Sequence, residues 1–251
     1  MSSHAQLNPW IICPQPTPQA RLRLFCFPYA GGGAAIFRAW AFQLPPEIEV
    51  CPIQLPGREN RFSQAPFTRM LALIHALSPA LLPLCDRPFA FWGHSMGALV
   101  SFELARYWHY RGLACPQHLF LSSHQAPHLP RQGVKMHLLP EAEFIAELRR
   151  YNGTPAAILQ EPELLELLLP VLRADFAVLE TYTYRAGPPL PCAISVFGGD
   201  RDAKVSQKQL SAWQIHTQAQ FKLRLLAGDH FYLKTQQTKI LQAVREDLQC
   251  L

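Results

Sequence analysis

The sequence predicts an α/β fold in which a mostly parallel sheet carries helices on both faces. Six short apolar segments rich in β-forming residues recur along the chain, and stretches long enough for a helix separate most of them. Parallel neighbours need a long crossover, and strands buried on both faces read as continuous apolar runs. The alternation of the two kinds of segment therefore indicates a parallel sheet with crossover helices.

The predicted elements follow one another in a regular order. The strands are expected at 22–27, 49–54, 88–92, 118–122, 193–198 and 221–226. The helices between and after them are expected at 34–43, 67–82, 96–111, 204–216 and 236–249. Because α/β folds of 251 residues often form one undivided core, we expect a single domain over 1–251.

One interval, 127–187, interrupts this order between the fourth and fifth strands. It contains no convincing strand but three helical patterns, at 140–150, 161–169 and 171–184. Five leucines of the last two patterns form one stripe at helical spacing, which is typical of packing: Leu164, Leu165, Leu168, Leu169 and Leu172. Because the carboxyl ends of the strands lie beneath such an insertion in this fold class, we expect a helical lid over 127–187.

Composition and charge exclude several classes of protein. Charged residues make up only 16% of the chain and apolar residues 49%, which argues against disorder and coiled coil. The net charge of +5 is mild and its basic residues are scattered, so nucleic acid binding is not indicated. The longest apolar stretch, at 163–172, is interrupted by Glu and Pro and is too short to insert into a membrane.

The N-terminal segment and the cysteines both indicate a cytoplasmic location. The segment has no basic start and only a four-residue apolar run, unlike a secretory signal. The seven cysteines contain no CxxC pair, which excludes a redox or zinc motif and fits small apolar thiols in a reducing compartment. We expect neither a metal nor an organic cofactor.

A nucleophile motif follows the third predicted strand. Gly93, His94, Ser95, Met96 and Gly97 form G-x-S-x-G between a strand and a helix, the context in which a sharp turn lifts a serine hydroxyl above the sheet. Such a serine needs a base within hydrogen-bond reach and a carboxylate to orient that base. Ser95 is therefore the candidate nucleophile of an α/β-hydrolase fold.

The base and the acid are expected after the last two strands, because the chain order in α/β-hydrolases is serine, acid, histidine. His230 follows the sixth strand in a glycine-containing turn and is the candidate base. His124 and His128 have the spacing of a helical metal pair, but Pro127 lies between them.

The acid follows the fifth strand, where two aspartates lie in the same loop. Asp202 is favoured because it clears the strand end, and Asp200 stays the alternative, since a difference of one loop residue cannot be read from sequence. The oxyanion hole is expected to combine the backbone amide of Met96 with that of Ala30, which precedes the glycine run after the first strand.

The whole set of motifs resembles the type II thioesterases that accompany nonribosomal peptide and polyketide synthases. The resemblance covers nearly the whole chain, and these segments carry it: FPYAGGG at 27–33, QLPGRENR at 54–61, GHSMG at 93–97, LRRYNGTP at 148–155, LRADFAVLETYTY at 172–184, FGGDRD at 197–202 and GDHFYL at 228–233. It implies Ser95, Asp202 and His230 as the triad and Met96 and Ala30 as oxyanion donors.

The resemblance also implies the reaction and the partner. The expected activity is hydrolysis of acyl or aminoacyl groups from the phosphopantetheine arm of an acyl or peptidyl carrier protein, in antibiotic biosynthesis. Arg58 and Arg61 in QLPGRENR are expected either to meet phosphate or carboxylate groups or to form structural ion pairs. The alternatives for the whole chain are an esterase or lipase acting on free esters and a receptor that keeps the fold without catalysis.

Overall fold

The computed structural model describes residues 8–131, 133–151, 153 and 160–249, and it contains one sheet of six parallel strands. The strands are β1 (Leu22–Phe27), β2 (Ile48–Pro52), β3 (Phe89–His94), β4 (His118–Ser122), β5 (Ala193–Gly199) and β6 (Phe221–Leu226). Their order in the sheet is β2-β1-β3-β4-β5-β6. The predicted fold class is confirmed, and all six strands occupy the predicted segments within two residues.

The helices differ more from the predicted ranges. They are α1 (Met70–Leu81), α2 (Met96–Tyr110), α3 (Glu141–Tyr151), α4 (Pro162–Glu180), α5 (Gln207–Ser211) and α6 (Gln237–Gln249). The segment Ala34–Phe42 is a 3₁₀ helix, since its buried residues Ala34, Phe37 and Trp40 recur every third position. Another 3₁₀ helix, Ala212–His216, extends α5. Within the described ranges, none of the helices combines the length and the hydropathy that a bilayer-spanning segment needs.

Both faces of the sheet are covered, because alternate residues of the strands enter different apolar clusters. In β1, Phe25 and Phe27 pack on the face that carries α1 and α2. Leu24 and Cys26 lie on the opposite face, with α6 and the first 3₁₀ helix. This burial on two sides is the reason why the strands read as continuous apolar runs.

The chain between β4 and β5 carries α3 and α4, and here the sequence prediction was partly wrong. The two helices expected at 161–169 and 171–184 are one helix that runs through Pro170 and ends at Glu180. Pro170 removes a helical hydrogen bond to the carbonyl of Glu166, but both residues are exposed, so water can solvate that carbonyl.

The leucine stripe also differs from its prediction, because Leu164 is 49% exposed. The remaining leucines join a small apolar cluster of their own, in which α4 packs on α3. That cluster is centred on Phe144, Leu148, Leu169, Leu172 and Phe176. Asn152, Thr154 and Pro155 of the LRRYNGTP motif lie outside the described residues.

Candidate active site

The nucleophile turn is built by the backbone between β3 and α2. Ser95 has φ +53° and ψ −112°, a conformation that costs a residue with a side chain about 1–3 kcal/mol. Its N–H donates to the carbonyl of Ser122 at the end of β4, at 2.7 Å. The turn therefore holds the serine at the carboxyl edge of the sheet.

The two glycines of the motif allow close backbone approaches. A Cβ at Gly93 would lie 2.2 Å from the carbonyl oxygen of Gly97, so a larger residue there would force strand and helix apart. A Cβ at Gly97 would lie 2.1 Å from the carbonyl oxygen of Phe27. Hence the start of α2 is pressed against the end of β1, just before the loop that carries Ala30 and the glycine run.

Three side chains from distant segments form a continuous hydrogen-bonded chain above this turn. His230 Nε2 lies 3.1 Å from Ser95 Oγ, and His230 Nδ1 lies 2.8 Å from Asp202 Oδ2. Asp202 Oδ1 accepts from the backbone N–H groups of Lys204 and Val205, which fixes the carboxylate.

Asp200, the alternative acid, instead caps the neighbouring loop by accepting from Gly228 N–H at 2.9 Å, and its side chain is half exposed.

The surroundings keep this carboxylate ionised. Burial opposes ionisation of Asp202, but the hydrogen bond and charge of His230, with the two backbone donors, outweigh it and lower the pKa of the carboxyl. An ionised Asp202 accepts from Nδ1–H of His230 and leaves Nε2 free to accept from the serine hydroxyl. The arrangement can thus remove a proton from Ser95.

His94 lies beneath the turn, where the sequence reasoning expected it to pack. It is fully buried, and its Nδ1 lies 2.8 Å from Ser122 Oγ. Burial, with the nearby charge of His230, lowers the pKa of His94 well below its usual value. The imidazole is therefore neutral and acts as packing behind His230, with 5.6 Å between the two ring centroids.

The two expected oxyanion donors belong to two different segments, the start of α2 and the loop after β1. Met96 is the first residue of α2, so its N–H belongs to the helix N-terminus and has no partner within the helix. Ala30 lies after β1 and lines the same cavity as Ser95 and His230. Gly31, which follows Ala30, has φ +76°, a value that glycine adopts without strain.

The serine opens into a cavity of about 450 Å³ beneath α4. Its wall combines apolar side chains such as Leu99 and Phe176 with polar ones such as His124 and His128. Burial lowers the pKa of His124 to about 4, so this histidine is a neutral hydrogen-bonding group. The cavity can accept an acyl chain that carries polar groups.

The sequence reasoning considered these two histidines only as a metal pair and missed their place in the wall. The segment that carries them is not helical, and His128 Nδ1 lies 2.9 Å from His216 Nε2. They follow the carboxyl end of β4, the same edge that carries Ser95, and that position was the available signal.

Both arginines of QLPGRENR have partners within the chain. Arg58 pairs in a bidentate manner with Asp175 of α4, at 2.7 and 2.9 Å. Arg61 bonds Gln64 and stacks on the ring of Trp10, with 4.1 Å between the guanidinium carbon and the ring centroid. Of the two expectations for Arg58, the structural ion pair is the one observed.

Comparison with known proteins gives one consistent family. The family model described as a thioesterase domain matches residues 22–248. The chain is 46% identical to the linear gramicidin dehydrogenase LgrE of Brevibacillus parabrevis, over 98% of this chain and 95% of that protein. It is 44% identical to the gramicidin S biosynthesis protein GrsT of Aneurinibacillus migulanus, over 99% of this chain and 97% of that protein.

A solved structure agrees with the family model. The type II thioesterase BorB from the borrelidin biosynthetic cluster superposes with a TM-score of 0.86 at 38% identity, covering 94% of this chain and 96% of that chain. LgrE is named a dehydrogenase. The glycine run of this chain, Gly31, Gly32 and Gly33, lacks the spacing of a dinucleotide-binding loop.

Proposed function

Because this chain belongs to the thioesterase domain family and is a hydrolase of thioesters, we propose that it removes acyl and aminoacyl groups from the phosphopantetheine arm of a carrier protein. The relatives GrsT, a gramicidin S biosynthesis protein, and BorB, from the borrelidin cluster, support a carrier protein of a nonribosomal peptide or polyketide synthase as the partner. The hydrogen bond between Ser95 and His230 in the wall of a cavity of about 450 Å³ is the observation that carries the proposal.

The first half of the proposed reaction transfers the acyl group to the enzyme. His230 Nε2 takes the proton of Ser95 Oγ as the oxygen bonds to the thioester carbon, and the N–H groups of Met96 and Ala30 hold the oxyanion. The carbonyl then re-forms, the carbon–sulfur bond breaks, and the leaving thiolate receives the proton from His230. An acyl-serine and a free phosphopantetheine thiol result.

The second half returns the enzyme to its starting state. His230 removes a proton from a water molecule, whose oxygen attacks the acyl-serine carbon, and the same two N–H groups hold the second oxyanion. Breaking the bond to Ser95 Oγ releases the carboxylic acid and restores the hydroxyl. Asp202 stays ionised throughout and stabilises the imidazolium that forms in each half.

We assign the insertion 127–187 the role of a lid over the acyl cavity. Leu148 of α3, and Leu172 and Phe176 of α4, line that cavity, which supports the assignment. The carrier protein as partner implies a cytoplasmic setting, and the unpaired cysteines among the described residues suit a reducing compartment.

The test is a hydrolysis panel of acetyl, aminoacyl and longer acyl groups on a carrier protein, beside the matching oxygen esters. We expect carrier thioesters to be cleaved in preference to the esters, and Ser95→Ala to remove the activity. A preference for free esters would favour an esterase instead. Failure of a fluorophosphonate to label Ser95 in the folded protein would favour a receptor without catalysis.

A further inference from the structure

The loop after β1 is held by buried side chains that come from elsewhere in the chain. Gly31 N–H donates to Asp175 Oδ2 at 2.7 Å, and Gly32 carbonyl accepts from Arg58 Nη1 at 3.1 Å. Ala34 N–H donates to Gln54 Oε1 at 2.8 Å. The loop that carries the proposed donor Ala30 therefore depends on QLPGRENR and on α4 for its shape.

The link to α4 is a fully buried ion pair. Asp175 is 2% exposed and Arg58 is 6% exposed. Replacing such a pair by apolar residues of similar volume is often neutral or stabilising, because desolvating two charges offsets their attraction. Stability by itself does not explain why a carboxylate lies here, but the hydrogen bond from Gly31 N–H does, since an apolar side chain has no acceptor for it.

That hydrogen bond fixes one of the two peptide planes next to Ala30. The Ala30–Gly31 plane is held through Gly31 N–H by Asp175. The Tyr29–Ala30 plane is held through its carbonyl, which accepts from Gly32 N–H at 2.9 Å. In a trans peptide the N–H points opposite to the carbonyl, so the bond to the Tyr29 carbonyl sets the direction of Ala30 N–H. The bond to Asp175 restrains the next plane, which joins Ala30 to the segment that carries the Gly32 donor.

We propose that Asp175, held in place by Arg58, is a positioning residue for the oxyanion donor at Ala30. This inference rests on the proposed function, in which Ala30 N–H stabilises the oxyanion. It gives the insertion a second role, because α4 reaches the reaction centre through a backbone amide as well as covering the cavity.

The turn of α4 at 171–175, which contains Asp175, also packs closely against the loops that carry Gly31 and Gly57. A Cβ at Gly31 would lie 2.5 Å from Leu172 Cδ2, and a Cβ at Gly57 would lie 3.3 Å from Val171 Cγ2, so the 171–175 turn is pressed on both loops. Moving this turn away would free Gly31 N–H. The 171–175 turn is therefore expected to stay in place while substrate binds.

The experiment compares two double variants, Arg58→Met with Asp175→Asn and Arg58→Met with Asp175→Leu. Both remove the ion pair and place at 175 a side chain with the same number of heavy atoms and the same branching, but only Asn keeps an oxygen that can accept from Gly31 N–H. The readouts are kcat and KM for a carrier thioester and the affinity for two inhibitors. An acyl trifluoromethyl ketone forms a tetrahedral oxyanion with Ser95, whereas a thioether analogue of the substrate does not.

We expect the Leu variant to lose roughly 10- to 100-fold in kcat relative to the Asn variant, part of the 10²- to 10³-fold cost of a deleted oxyanion donor. KM and thioether affinity should stay equal in the two variants, while trifluoromethyl ketone affinity falls with kcat. Equal kcat in the two variants would overturn the proposal, whatever their relative stabilities to urea.

Two further measurements separate the possible failures. Wild-type protein that does not hydrolyse the carrier thioester would contradict the proposed function, whereas active wild type with equal double variants contradicts only the positioning role. If a double variant does not fold, amide exchange at Gly31 in the wild type decides. We expect protection on the order of 100-fold from its bond to a buried carboxylate, and exchange at the rate of an open loop would overturn the proposal.

Discussion

Two clusters made of one serine, one histidine and one aspartate lie at opposite ends of the same sheet. The first, at the carboxyl end, is Ser95, His230 and Asp202. The second, which we call the amino-end cluster, is Ser195, His118 and Asp247. In it, Ser195 Oγ donates to Asp247 Oδ2 at 2.7 Å and lies 2.9 Å from His118 Nε2.

The order of the groups separates the two clusters. In the first, histidine lies between the carboxylate and the hydroxyl, so it can take the hydroxyl proton while the carboxylate stabilises its charge. In the amino-end cluster the hydroxyl lies in the middle, and its proton is already committed to Asp247. The histidine must donate to that hydroxyl and cannot act as its base.

Access and charge separate them as well. Ser95 lies in a strained turn at the wall of a cavity, whereas Ser195 lies within β5 and is fully buried. Asp247 also accepts from Lys222 and Arg224, which neutralise it. Residue types alone therefore do not make a catalytic group; their connectivity and their exposure to substrate do.

Removing each serine in turn should give the largest difference between the two clusters. Ser95→Ala should reduce turnover by roughly 10⁶-fold, as in other serine triads. Ser195→Ala should leave turnover unchanged and lower the free energy of unfolding by about 1–3 kcal/mol, because it removes the buried hydrogen bonds of Ser195 Oγ to His118 and Asp247. Single-turnover hydrolysis and urea unfolding measure both, and comparable activity losses in the two variants would refute the distinction.

The acid of the first cluster gives the next largest effect. Asp202→Asn should reduce kcat by roughly 10⁴-fold, because the amide no longer selects the histidine tautomer that accepts from serine. Asp200→Asn is the matched control in the same loop and should change kcat by less than about threefold, since its half-exposed side chain bonds Gly228 N–H and pairs with Arg201, neither of which belongs to the triad. A larger loss of kcat in Asp200→Asn than in Asp202→Asn would show that Asp200 is the acid of the triad.

Asp247 tests whether the amino-end cluster is purely structural. Asp247→Asn leaves Arg224 and Lys222 without a counter-charge and should lower the free energy of unfolding by about 2–3 kcal/mol. This loss is smaller than the one expected when a fully buried ion pair is broken, because both basic side chains are partly exposed. The initial rate of hydrolysis should not change. A loss of kcat without a loss of stability would show that this cluster acts on the reaction.

The smallest expected effect is a change in how steeply the melting temperature falls as the pH is lowered. The pKa of His118 is lowered to about 4, first by burial and against the attraction of Asp247, with Lys222 and Arg224 adding to the lowering. The pKa of Asp247 is lowered to about 2, because its hydrogen bonds to Arg224, Lys222 and Ser195 outweigh the opposing effect of burial.

Both groups bind protons more weakly in the folded protein, so both stabilise it above their ordinary pKa values and lose that effect as the pH falls. His118→Gln should reduce the loss of melting temperature between about pH 6.5 and 4, and Asp247→Asn should reduce it between about pH 4 and 2. Melting curves of the two variants and of the wild type across this range measure the slopes.

Much of the site was predictable because its residues occupy positions that the strand order dictates. The serine turn needs small residues at 93 and 97, and the close approaches of those glycines show why. His230 follows the last strand, at the edge where parallel strands all end. The histidines of the cavity wall were missed because they were weighed as a metal pair and not by their position after β4.

The α/β class, the order of strands and helices along the chain, and the candidate serine and histidine follow from the sequence, because periodicity and motif context are local properties. The folded chain was needed to show that Asp202 and not Asp200 faces the histidine, that one helix continues through Pro170, and that Arg58 meets Asp175, which lies 117 positions away. These outcomes depend on loop geometry and on packing between distant segments, where a single hydrogen bond selects between neighbouring residues.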